Sequence, residues 1–164
     1  MEIERILVVA LEDRRTAPAV ARKAALVAIA ERARLIVLLH VIDDLVGTGL
    51  GFDPAGCWIP GAAPVNEVDE ILDAAENTIR AVYGAHRRPL PIIGRVAAAG
   101  PIAEAITRTA LTNHAVGVVL GARRPHKLGP LFHPDVAARV APRLTCPVHV
   151  APLLRSADAP TAHH

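Results

Sequence analysis

Strand-length aliphatic runs alternate with helical periods along the whole chain, and this alternation predicts one α/β domain: an open parallel sheet with helices on both faces. Two further observations agree. The runs at 5–10, 35–42 and 116–120 are almost unbroken in Val, Ile, Leu and Ala, as strands covered on both sides must be. Hydrophobic residues make up 52% of the 164 while aromatic ones make up 2%, so the core must be built from small aliphatic side chains, which suits helices packed closely on a sheet. That length fits a single domain able to bury its own core.

Each element follows in order. Residues 5–10 form the first strand. Thr16 is the expected N-cap of a helix over 17–33, with Pro18 tolerated in its first turn. Residues 35–42 form the second strand. The segment 45–64 is long and irregular, carries Phe52 and Trp58, and reads as either a lid or a disordered excursion. From 66 to 86, Val68, Ile71, Leu72, Ala75, Ile79 and Val82 recur at three- and four-residue steps, predicting an amphipathic helix whose acids form a solvated face. Residues 90–99 predict a third strand, placed at an edge by Pro91 and Gly94. Gly100-Pro101 opens a helix at Ile102, with Ile106 and Ala110 inside, closed by Thr112-Asn113-His114. A fourth strand at 116–120 ends at Gly121, a short helix spans 135–143, and Cys146-Pro147 announces a last strand at 148–150. Residues 1–152 make the domain and 153–164 a disordered tail.

Three stretches go beyond fold class: the Ile-Leu-Val-Val opening at 6–9, Leu-Leu-His-Val-Ile-Asp at 38–43, and the ungapped frame from Gly121 to Val150 with its Cys-Pro-Val turn. Together they resemble the universal stress protein family over about residues 3–152. The resemblance implies a Rossmann-like sheet of the adenine nucleotide alpha hydrolase type, ordered 3-2-1-4-5. It also implies a homodimer formed through the last strand, with Val148, His149 and Val150 at the interface. In nucleotide-binding members, a glycine ending the fourth strand, a second glycine three residues on and a Gly-Ser or Gly-Thr pair cradle the phosphates of ATP or AMP. Here those places hold Gly121, Arg124, Pro134 and Asp135. The place of the family's nucleotide-facing Asp is taken by Leu11, two residues past Val9, with Glu12 and Asp13 next; Val41 stands where an adenine contact is implied. The nucleotide- or anion-binding candidates are thus Val9, Leu11, Val41, Gly121, Arg123, Arg124, Asp135 and Val136.

The replaced residues argue against a phosphate cradle. Such a loop works by unencumbered backbone N–H groups near a helix N-terminus. Pro134 has no N–H, Arg124 adds bulk, and Asp135 would accept those N–H groups itself while repelling phosphate. Arg123 and Arg124 leave two readings open: an anion held by side chains, or an Arg124–Asp135 pair with Arg123 solvated. The expectation is a stress-response or regulatory protein without robust ATP binding and without a cofactor. The alternative is an ATP- or AMP-binding signalling module with a modified phosphate loop.

Other classes find little support. A net charge of +2, without aromatics interleaved among the basic pairs, gives no case for nucleic acid. The apolar stretch at 24–42 is broken by Glu31, Arg32 and Arg34, and the acidic N-terminus does not suit a secretory signal, so no membrane association and a cytoplasmic location are expected. His126 and His133 lack further ligands at metal spacing, Cys57 and Cys146 form no metal-type pair, and Ser156 lies in the tail, so neither metal site nor catalytic constellation is expected.

Overall fold

The computed structural model describes residues 4–42, 65–122 and 136–152. Five parallel strands, β1 (Ile6–Leu11), β2 (Leu35–Ile42), β3 (Ile92–Ala99), β4 (Gly117–Gly121) and β5 (Val148–Ala151), lie in the order β3-β2-β1-β4-β5. Helix α1 (Ala17–Glu31) and helix α2 (Val65–Ala85) cover one face; α3 (Ile102–Thr112), α4 (Val136–Val140) and a 3-10 turn at Ala141–Arg143 lie on the other. The expected sheet order holds.

Period-two alternation along the strands assigns each side chain to one of two cores. Leu7, Val9, Leu11, Ile36, Leu38 and Val119 point toward α1 and α2, where Ala21, Ala24, Ala25, Ala28, Ile71 and Ile79 meet them. Ile6, Val8, Val37, Leu39, Val118 and Leu120 point the other way, toward Ile106, Ala110 and Val140. Alanines along α1 let its backbone approach the sheet closely, which is how a chain poor in aromatics still fills its interior. Tyr83 is buried, and that burial pushes its hydroxyl pKa up.

Several boundaries shift for identifiable reasons. Thr16 does not cap α1 with its side chain; it sits in the helical region, at φ −94° and ψ −21°. Asp13 takes that role, its carboxylate accepting the Thr16 N–H at 2.8 Å and the Thr16 hydroxyl at 3.1 Å. Helix α1 stops at Glu31 because Arg32 turns left-handed at φ 54° and the Ala33 N–H returns to the Ala28 carbonyl at 2.8 Å. Strand β3 starts at Ile92 because Pro91 has no N–H; the Ile92 N–H is the one that reaches the Arg34 carbonyl, at 2.9 Å. The expected helix over 135–143 tightens after Val140, since Pro142 cannot donate to the Ala138 carbonyl. Among the described residues no helix is long and apolar enough to cross a membrane. The expected lid or excursion at 45–64 and the tail at 153–164 lie outside the described residues.

Candidate functional site

Parallel sheets leave a crevice at the carboxyl ends of their strands, where the chain order reverses. Here the reversal falls between β1 and β4, since the chain leaves β1 toward β2 and leaves β4 in the opposite direction toward β5, and a cavity of about 70 Å³ opens at that point. Ala10, Leu11 and Glu12 from the end of β1, Val41 from β2, Ile102 and Ile106 from α3, Leu120 and Gly121 from β4, and Val136 from α4 surround it. The wall is aliphatic apart from Glu12, which makes a polar contact of its own.

Four of the eight sequence candidates, Leu11, Val41, Gly121 and Val136, meet at this cavity. Val9 does not: its side chain points to the α1/α2 core and is fully buried there. The strand pleat makes Ala10 the residue that faces the cavity from β1. Leu11 borders it too, but its side chain belongs to the α1/α2 core and its carbonyl oxygen accepts a hydrogen bond from His40 Nδ1 at 3.1 Å. Arg123, Arg124 and Asp135 lie outside the described residues, as do His126 and His133.

Of the two carboxylates after β1, Glu12 borders the cavity and Asp13 is engaged at the start of α1. Sequence reasoning placed the inner stripe of α3 at Ile106 without assigning it to the site, and passed over Ala10, Ile102 and Leu120. The missing signal was parity: residues of β1 and β4 with even numbers share the α3/α4 face, and α3 lies directly over them. Among the described residues no three His, Cys, Asp or Glu side chains come together as a metal site. Cys146 is free and half-buried, and its surroundings push the thiol pKa up, away from the thiolate that a nucleophile needs.

The last strand occupies the sheet edge. Val148 and His149 are half-buried and Val150 is 41% exposed. His149 lies on the α1 side, with its Nε2 3.5 Å from the point where a Cβ on Gly117 would stand, while Val148 and Val150 face the α3/α4 side.

Solved structures similar to this chain agree in fold. A universal stress protein in complex with cAMP is 18% identical, with TM-score 0.63, over 91% of this chain and 97% of its own. A universal stress protein from Archaeoglobus fulgidus is 20% identical, with TM-score 0.64, over 90% and 98%. The universal stress protein from Archaeoglobus fulgidus in complex with dAMP is 18% identical, with TM-score 0.59, over 92% and 98%. No curated protein sequence matches this one. The model of the universal stress protein family matches residues 3–152, a span that includes every described residue. On that match, the chain belongs to the universal stress protein family.

Proposed function

We propose that this chain is a dimeric stress-response or regulatory protein that does not hold ATP firmly and acts through contacts, without catalysis. The observation that carries this reading is the chemistry of the cavity wall. Ala10, Val41, Ile102, Ile106, Leu120 and Val136 can receive a flat apolar ring, yet the charged side chain beside them is the carboxylate of Glu12. Among the described residues no cation lines the cavity. A triphosphate needs converging N–H donors or cations to hold it. Arg124, Pro134 and Asp135, standing where the family resemblance implies glycines and a hydroxyl, weaken the phosphate grip further.

Calorimetric titration of the full chain tests the reading. ATP is expected to bind no tighter than about 1 mM, near −4 kcal/mol, and a micromolar constant, near −8 kcal/mol, would overturn it. The dimer is proposed through β5, whose open edge and exposed Val150 can pair with a second copy. Sedimentation should show a dimer that Val150→Glu weakens.

A second reading draws on the similar structures solved with cAMP and dAMP, ligands with a single phosphate. A nucleoside monophosphate asks less of the phosphate loop, and Arg123 or Arg124 could meet its charge from the side chain. Under this reading AMP binds tighter than ATP in the same titration; under the first, neither binds firmly.

A further inference from the structure

The edge formed by β3 differs from the β5 edge in length and in what surrounds it. It has eight residues against four, and lies at the opposite side of the sheet. In a parallel pair, alternate residues direct both backbone groups toward the neighbouring strand. The Ile92 N–H bonds to Arg34 and the Gly100 N–H to Ile42 of β2, so even-numbered residues of β3 face inward. Ile93, Arg95, Ala97 and Ala99 therefore direct N–H and C=O outward, with no strand beyond them among the described residues.

The two sides of this edge are chemically unlike. On the α2 side, Arg95 is held by Asp73 and Glu76. On the other side, α3 packs over β1 and β2, leaving Ile92 74% exposed and Val96 38% exposed, with Leu90 at 38% leading into the strand. Just before that, Arg87 and Arg88 are exposed and form no ion pair among the described residues. Their place after the end of α2 suits its negative pole, which accounts for part of their charge. It does not account for aliphatic side chains left in water beside an open edge.

We propose that the β3 edge docks an extended segment of a partner protein, which adds a sixth strand to the sheet. The outward backbone groups of Ile93 to Ala99 supply the hydrogen bonds. The segment carries aliphatic residues at alternate positions, against Ile92 and Val96, and uncharged polar residues opposite the already paired Arg95. An acidic pair at the end that runs past Ile92 meets Arg87 and Arg88. Charge complementarity selects this occupant: a nucleic acid gains nothing from the aliphatic strip, and a lipid surface leaves the edge backbone unsatisfied.

The test uses the full chain and fluorescein-labelled peptides Glu-Glu-Gly-Val-Thr-Val-Thr-Val and Val-Thr-Val-Thr-Val-Gly-Glu-Glu, which cover both strand directions, with lysine replacing glutamate as controls. Anisotropy should report saturable binding of one acidic peptide, weakened about tenfold or more in the Arg87→Glu/Arg88→Glu variant. Ala97→Pro should abolish it while leaving the circular dichroism and melting temperature in place, because it removes an outward N–H that no strand of the sheet uses. Equal binding by Ala97→Pro, or by the lysine peptides, overturns the proposal. So does absence of peptide binding together with a dimer that Ala97→Pro dissolves, since a second copy would then be the occupant, or with capture by vesicles of anionic phosphatidylglycerol.

Discussion

The two faces of the sheet are covered to different depths. Toward α1 and α2, helices of 15 and 21 residues seal Leu7, Val9, Leu38 and Ile36 away from water. Toward α3 and α4, helices of 11 and 5 residues cover Val8, Leu39 and Val118 but leave the cavity between Ala10, Ile106 and Val136. The same strands supply both faces through alternate residues, so the sheet acts as a partition: one side is closed, and the other, which also buries Val8, Leu39 and Val118 completely, keeps a cavity at its carboxyl end. A substitution of one residue along a strand should therefore move its consequence from stability to ligand response.

The largest effect is expected on the sealed side. Leu38→Ala removes a fully buried side chain from the α1/α2 core, where α1 cannot collapse into the space because its inner positions are already alanine. A loss of about 3 kcal/mol in chemical denaturation follows, with the cavity on the far side untouched. A loss below about 1 kcal/mol would mean that this face is no more tightly packed than the other.

Gly117→Ala comes next. A Cβ at Gly117 would stand 3.1 Å from Leu7 Cδ1 and 3.5 Å from His149 Nε2, so Leu7 must give way inside a packed core. The cost is about 1–2 kcal/mol, typical of modest overpacking. His149 Nε2, at 3.5 Å, stays in ordinary contact, so the proposed dimer through β5 should keep its strength, which sedimentation can read alongside the denaturation curve.

Ala10→Val tests the open side. The added methyls enter the cavity, so stability should change by less than about 1 kcal/mol in either direction. Any calorimetric response of the wild-type chain to AMP or ATP should vanish, because that space lies at the reversal of strand order. Retention of the response would place the ligand elsewhere.

Much of this partition was legible in the residues before any coordinates. Unbroken runs such as Leu35–Ile42 announced strands covered twice, and Pro91 with Gly94 announced an edge. The family resemblance named Leu11, Val41, Gly121 and Val136 from three separate stretches, and the fold brings these four to one cavity. Parity was not legible: an aliphatic run gives no hint which of Val9 and Ala10 faces the cavity, since both are apolar and both lie under helices. Nor was the capping of α1 by Asp13, because Asp and Thr three residues apart are both accepted caps, and backbone conformation decides between them.

The smallest expected effect lies at the rim of the sealed face, where Glu76 of α2 receives hydrogen bonds from Arg80 at 2.7 Å and from Arg95 of β3. The Arg80 guanidinium, with Arg95 second, holds the Glu76 carboxyl below the usual carboxylate range. A carboxyl depressed on folding stabilises the fold above its unfolded pKa, and that contribution is lost as pH falls through the folded value. Glu76→Gln should therefore flatten the acid limb of a stability-versus-pH curve below the ordinary glutamate range, while costing under about 1 kcal/mol at neutral pH, since both partners reach water, Arg80 at 55% and Arg95 at 37% exposure. An acid limb unchanged in the variant would show that Glu76 does not couple α2 to β3. The sealed face would then owe its stability to aliphatic packing, and its outer strand would be held by backbone pairing with β2.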